Sequence, residues 1–269
     1  MRDTLSVAVM SGKGGVGKSN LALNLGYALS RGGFPLLLMD CDLGLANLDV
    51  LLGITPEGNL QDVILRDAPV TDIIHPLSDQ GRGLFDILPA ASGVPELAEM
   101  DADMRDMLLR RLESTLAQYD MVLLDLGAGI HSTVQSFASM AAARLVVMTP
   151  EPTSLTDSYA LIKVLHTRLG VKDFLVVVNE VENSRDEESC FQRLNMACER
   201  FLGIHPVLLG SVRNDPKMSE AVRRQRPLLS LYPNSPAAQD ILALAQRLLK
   251  VRGSMLDTLH SRPVLLPLA

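Results

Sequence analysis

Seven short runs of apolar residues punctuate the chain: Leu5–Ser11, Pro35–Met39, Leu84–Leu88, Met121–Leu126, Leu145–Thr149, Phe174–Asn179 and Val207–Val212. They are rich in Val, Leu and Ile and apolar nearly throughout, as strands covered on both faces are. Longer amphipathic stretches lie between them. Asp101–Gln118 sets Met104, Met107, Leu108, Leu112 and Leu116 at helical spacing, and Ala237–Lys250 does the same with Ile241, Leu242, Leu244, Ala245, Leu248 and Leu249. The alternation predicts an α/β fold, a mostly parallel sheet flanked by helices on both faces.

No internal repeat, low-complexity tract or linker divides this pattern, so residues 1–250 are expected to form one domain. A chain of 269 residues with 47% hydrophobic content can bury a large core. After Lys250 the sequence reads VRGSMLDTLHSRPVLLPLA, in which Gly253, Pro263 and Pro267 should interrupt any long helix. Residues 251–269 are therefore expected to be a tail, loosely ordered or docked on a partner or a membrane. Three cysteines, Cys41, Cys190 and Cys198, form no CxxC pair and no cluster with histidine, which excludes a zinc motif or disulfide framework and points to a reducing cytoplasm. The first residues lack the apolar length and cleavage site of a signal peptide, and no apolar stretch approaches the roughly 20 residues that span a bilayer. A net charge of −6 argues against nucleic acid as a partner; Arg223, Arg224 and Arg226 are a local basic exception, read as a solvated helix end.

Between the first strand and the first helix stands SGKGGVGKS, residues 11–19, which satisfies GxxxxGK(S/T) with Gly12, Gly17, Lys18 and Ser19. Glycines let successive N–H groups turn inward as an anion nest, and the helix that follows adds its positive end. Lys18 would supply charge to the β- and γ-phosphates of ATP, or to the β-phosphate of ADP, and the Ser19 hydroxyl would reach Mg²⁺. The candidate nucleotide contacts here are Gly12, Lys13, Gly14, Gly15, Val16, Gly17, Lys18, Ser19 and Asn20. This is the signature of a P-loop NTPase. Lys13 is an additional lysine that cradling within one chain does not require.

Two further strands end in acid. Strand two runs into Asp40-Cys41-Asp42, and strand four into Asp125 followed by LGAG. Carboxylates at the carboxyl edge of a parallel sheet reach the crevice where ligands bind. Asp125 reads as a metal-side carboxylate acting through water. Asp40 and Asp42 alternate across the chain, so one can brace the loop while the other faces the γ-phosphate; Asp42 is assigned to the metal and the attacking water, with Asp40 structural or in indirect contact with the metal. Gly127 and Gly129 give the segment freedom to move when the γ-phosphate leaves. Lys13, Lys18 and Asp42 are the catalytic candidates. Phosphoryl transfer needs positioning and charge more than covalent chemistry, so these groups suffice for slow, Mg²⁺-dependent ATP hydrolysis. Asn179 and the segment Arg213-Asn214-Asp215 lie on the side where a purine would sit, although a strand-terminal asparagine is first of all a turn former.

The KGGxGKS form resembles the deviant Walker A loop of the MinD/ParA group, in which the early lysine, here Lys13, reaches across a dimer interface to the partner's phosphates. The segments DCDLGLANLDVLLG, DLGAGI, TPEPTSLTDSYALIK and FLGIHPVLLGSVRNDPKMSEAVRRQRPL further resemble the FlhG group (also called FleN), the MinD-like flagellar-number regulators. The similarity covers most of residues 5–230. It implies an ATPase that forms a homodimer with ATP, associates reversibly with the inner face of the cell membrane, and controls the number or placement of flagella through flagellar assembly or regulatory proteins. It also implies adenine contacts from Asn179 and the backbone of Arg213 to Asp215. Members often begin with a basic, glutamine-containing extension that stimulates the GTPase FlhF; here only MRDTL leads into the first strand, so that stimulation is not expected. A partition ATPase with non-flagellar cargo and a nucleotide-binding adaptor with little hydrolysis share the same loop and are the alternatives.

Overall fold

A computed structural model describes residues 3–42, 46–77, 85–90 and 102–266, with the backbone alone for 102–106. Among these, eight strands form one sheet: β1 (Leu5–Ser11), β2 (Leu36–Cys41), β3 (His75–Pro76), β4 (Phe85–Leu88), β5 (Met121–Ala128), β6 (Ala143–Met148), β7 (Leu175–Val181) and β8 (Val207–Arg213), in the order β3-β4-β2-β5-β1-β6-β7-β8. Every pairing is parallel except β3 with β4. β1 sits at the centre, Val7 facing Leu123 of β5 on one side and Ala143 of β6 on the other.

The apolar runs are buried on both faces because helices cover both. Val7 and Val9 pack with α1 (Lys18–Arg31) and α11 (Pro236–Leu259), through Leu21, Leu25, Ile241 and Leu244. Ala8 and Met10 join the opposite core with α6 (Ser132–Met140), α7 (Pro152–Leu169) and α8 (Ser184–Leu202), through Phe137, Leu161 and Leu194. α5 (Ala102–Leu116) adds Leu108 and Leu112 to that face. Short helices complete the chain order: α2 (Leu48–Leu52), α3 (Leu60–Leu65), α4 (Val70–Ile73), α9 (Pro216–Arg223) and α10 (Leu228–Leu231). Leu84 and Asp101, the expected first residues of a strand and a helix, lie outside the described residues, as does the Met104 side chain.

The largest departure from expectation is at the carboxyl end. The helix expected to stop at Lys250 continues through Gly253 to Leu259. A glycine in a helix interior costs about 1 kcal/mol, and burial of Leu259 against the core offsets it. The chain then turns under the amino edge of the sheet and buries Val264 and Leu265. Ser6 Oγ donates to Val264 O at 2.5 Å and accepts from Ala142 N at 2.9 Å, while Leu266 N donates to Met140 O at 3.0 Å. The helix ends at Leu259, short of Pro263, and through Leu266 the segment that follows packs on its own domain. Among the described residues no helix is long and apolar enough to cross a membrane.

Candidate nucleotide site

The carboxyl ends of β1, β2, β5, β7 and β8 face one cleft of about 800 Å³. Its floor runs from Ser11 to Leu21, along the glycine loop and the first turn of α1. Gly15 and Gly17 stand at φ 78 and φ 81, backbone that L side chains rarely adopt, and Gly17 is the residue from which α1 starts. Gly12 is required for a different reason: it lies against α7, where a Cβ would stand 2.2 Å from the Asp157 carbonyl carbon. Gly14, Gly15, Gly17, Lys18, Ser19 and Asn20 line the cleft; Gly12, Lys13 and Val16 do not. Val16 is buried, and its carbonyl accepts from Asn179 Nδ2 at 2.8 Å.

Lys18 and Asp125 form a buried ion pair, Nζ to Oδ1 2.6 Å, with 8% and 1% of their side chains exposed. Lys18 also donates to Ser19 Oγ at 3.2 Å. Asp125 Oδ2 is buried without a hydrogen-bond partner among the described residues. A buried carboxylate oxygen lacking a partner, beside a serine hydroxyl and near Asp42, is an all-oxygen donor set of the kind Mg²⁺ takes. Ser19 and Asp42 line the cleft, and Asp42 lies over the end of β5, where a Cβ on Gly127 would be 3.2 Å from its Oδ1.

Asp40 takes the bracing role. Its Oδ1 accepts from Asp42 N (3.0 Å), and its Oδ2 from Asn47 N (3.1 Å) and Leu48 N (3.3 Å), so it ties the start of α2 to the end of β2. Burial and the nearby charge of Asp125 raise its pKa to about 7, against the lowering effect of those N–H donors.

Lys13 points away from the cleft. It pairs with Glu151 and lies 3.2 Å from Thr153 Oγ1 at the start of α7, and its hydrogen bond and charge hold the Glu151 carboxyl below its ordinary range. Asn179, Arg213 and Asp215, the candidates for purine contact, all line the cleft, and the Asn179 Nδ2, the Arg213 guanidinium and the Asp215 carboxylate each have a partner within the chain. Arg213 turns its guanidinium onto Asp240 of α11 through two bonds of 2.8 Å. Asp215 caps α9, accepting from Lys217 N (2.9 Å) and Ala237 N (3.2 Å); against the upward push of burial, these donors and the Ser235 hydroxyl hold it below the usual carboxylate range.

Sequence reading missed the walls. Asn47, Val50 and Leu51 of the α2 segment and Met218, Val222 and Arg223 of α9 line the cleft on two of its sides. Val50 is 63% exposed, large for an aliphatic residue. Nothing in the periodicity of either short helix marks these positions. Glu180, held at φ 60 at the end of β7, also lines the cleft; burial and the charge of Glu151 push its carboxyl up.

A glycine loop that opens a helix at the carboxyl edge of a parallel sheet, with its lysine answered by a strand-terminal aspartate, defines a P-loop nucleotide-binding domain. The chain belongs to the CobQ/CobB/MinD/ParA nucleotide binding domain family, whose model matches residues 7–228. It is 36% identical over 241 residues to the antiactivator FleN of Pseudomonas aeruginosa, covering 90% of this chain and 85% of that one. It is 31% identical over 245 residues to the flagellum site-determining protein YlxH of Helicobacter pylori, covering 90% and 81%. The septum site-determining protein MinD complexed with Mg-ADP from Pyrococcus horikoshii superposes with a TM-score of 0.76 at 27% identity, over 93% of this chain and 98% of that one. The resemblance to flagellar-number regulators carried by the motifs is thus met along nearly the whole chain.

Proposed function

We propose that the chain is an ATP-dependent dimerising switch that hydrolyses ATP slowly and regulates flagellar number or placement. The buried Lys18–Asp125 pair at the mouth of the glycine loop is the observation that carries this reading. In it the lysine is already desolvated and aimed at the loop, so transfer to a phosphate exchanges one anion for another without stripping water from an ammonium. Mg²⁺, when bound, would neutralise phosphate charge, and Ser19, Asp42 and Asp125 are the residues to hold it. Asp42, steadied through its backbone by Asp40, orients the attacking water. The glycine-loop N–H groups and Lys18 stabilise charge on the transferred phosphoryl group.

Lys13 is the residue we assign to the partner's phosphates. Its position at the surface, held by an exposed pair with Glu151, leaves it able to exchange partners at small cost. The flagellar output follows from the likeness to FleN and YlxH, since fold and nucleotide site do not by themselves determine it. For a contact of the carboxyl end with the membrane, the exposed large apolar residues among those described are Leu256 and Leu266, whereas Leu259, Val264 and Leu265 are buried.

Light scattering tests the switch. The protein is expected to be a monomer with ADP and to double in mass with ATP and Mg²⁺, and Lys13→Ala is expected to remain monomeric in both. A mass independent of nucleotide would overturn the dimer switch.

A further inference from the structure

The side chain of Gln225 joins the two walls of the cleft. Two residues beyond α9, Gln225 Nε2 donates to the carbonyl oxygen of Val50 in α2 at 2.8 Å, joining segments 175 residues apart. The same side chain packs over Gly53, the left-handed residue (φ 62) that ends α2; a Cβ there would stand 2.7 Å from Gln225 Oε1 and 3.0 Å from its Cδ. The contact therefore has a shaped seat as well as a hydrogen bond.

Gln225 occupies this position against its own backbone preference. It sits at φ 53 at the stop of α9, with Arg226 N returning to Ala221 O at 3.2 Å. Glycine is the usual residue at such a stop, and any side chain there carries strain. Its neighbour Arg224 pairs back onto Glu220 of the same helix, whereas Gln225 reaches across to α2. α2 is in turn tied at its start to Asp40, through Asn47 N and Leu48 N. The helix forming one wall of the cleft is thus fixed at one end to the sheet and at the other to the opposite wall.

We propose that Gln225 is a clasp across the cleft that retards release of a bound nucleoside diphosphate or triphosphate. The inference rests on the reading of the cleft as a nucleotide site. With the clasp made, Val50 and Leu51 stay opposite Met218, Val222 and Arg223, and a ligand seated on the phosphate loop escapes past a narrowed opening. With the bond broken, α2 keeps its tether to Asp40 and the packing of Leu51 and Leu52 on the core, and loses its hold on the opposite wall.

The test is release of N-methylanthraniloyl-ADP, chased with excess ADP in Mg²⁺, from the wild-type chain, Gln225→Gly and Gln225→Ala, alongside their melting temperatures. Gln225→Gly removes the clasp and the backbone strain together, so it is expected to release the labelled ADP about fivefold faster, the effect of one hydrogen bond, while melting no lower than wild type. Gln225→Ala removes the clasp, keeps the strain, and is expected to release at the same raised rate. Release at the wild-type rate from both variants would overturn the clasp and leave the nucleotide site standing. Failure of the wild-type chain to bind the labelled ADP would overturn both readings.

Discussion

Lys18 and Asp125, 107 residues apart, meet as a buried ion pair 2.6 Å long at the junction of the phosphate loop and β5. Removing one partner leaves the other as an uncompensated buried charge. Asp125→Ala is therefore expected to lower folding stability by about 3–5 kcal/mol. The double variant Lys18→Ala/Asp125→Ala should recover a large part of that loss. Urea titrations of the four proteins give the coupling; additive losses would show that the pair does not stabilise the fold as a unit.

Gly12 and Gly17 should respond differently to the same added methyl group. At Gly12 the Cβ meets the backbone of α7 at 2.2 Å, and backbone cannot step aside, so Gly12→Ala is expected to cost about 3 kcal/mol of stability. At Gly17 it meets the Asn179 side-chain amide at 2.4 Å, which can rotate. Gly17→Ala should therefore cost the left-handed backbone strain of about 1–2 kcal/mol and also the buried hydrogen bond from Asn179 to Val16 O, and by displacing Asn179 from the cleft it should weaken nucleotide binding. Denaturation and calorimetric ADP titration check the two variants; a Gly17→Ala protein that binds ADP as tightly as the wild type would sink the expectation.

The buried Asp86 predicts a pH dependence. Tyr119 donates its phenol to Asp86 Oδ2 at 2.7 Å, and Asp86 Oδ1 has no partner among the described residues. Burial raises the Asp86 carboxyl above its ordinary range, an effect that the Tyr119 hydrogen bond and the nearby His75 only partly offset. A raised carboxyl contributes stability below its unfolded pKa of about 4, and that contribution is lost as pH rises through the folded value. Asp86→Asn keeps an acceptor for Tyr119 without the charge. It is expected to be more stable than wild type at pH 7 by up to about 1 kcal/mol, partial screening limiting the gain, with the difference vanishing near pH 3. Parallel melting curves across that range check it; a variant less stable at pH 7 would refute the assignment.

Ser6 bridges Ala142 N and Val264 O in the interior. Ser6→Ala strands a buried donor and a buried acceptor and is expected to cost about 1–3 kcal/mol. Hydrogen exchange should show Leu266, whose N–H is bonded to Met140 O, losing protection together with the tail. A loss spread evenly over the domain would speak against a local anchor.

The sequence made legible what is local. The strand, glycine loop and helix at residues 5–31 are contiguous, and each announces itself by composition. The two-residue β3 escaped because His75 and Pro76 are too few to show a period, and their antiparallel pairing depends on β4 being in place. The extension of α11 escaped because Gly253 is unfavourable taken alone, while the burial of Leu259 that outweighs it is a tertiary fact. Within the site, the loop residues were readable, but the Lys13–Glu151 and Gln225–Val50 contacts, separated by 138 and 175 residues, were not. Nothing in the immediate neighbourhood of Lys13 or Gln225 names its partner.

β1, the first of the described strands, is completed on one side by β5 and on the other by β6, and its Ser6 finds its acceptor in Val264, 258 residues later. Both strands that flank β1 thus come far later in the chain than the phosphate loop that follows it directly. A segment holding only β1, the loop and α1 lacks those neighbours, so the shape of the loop is a product of long-range closure rather than of the local sequence alone.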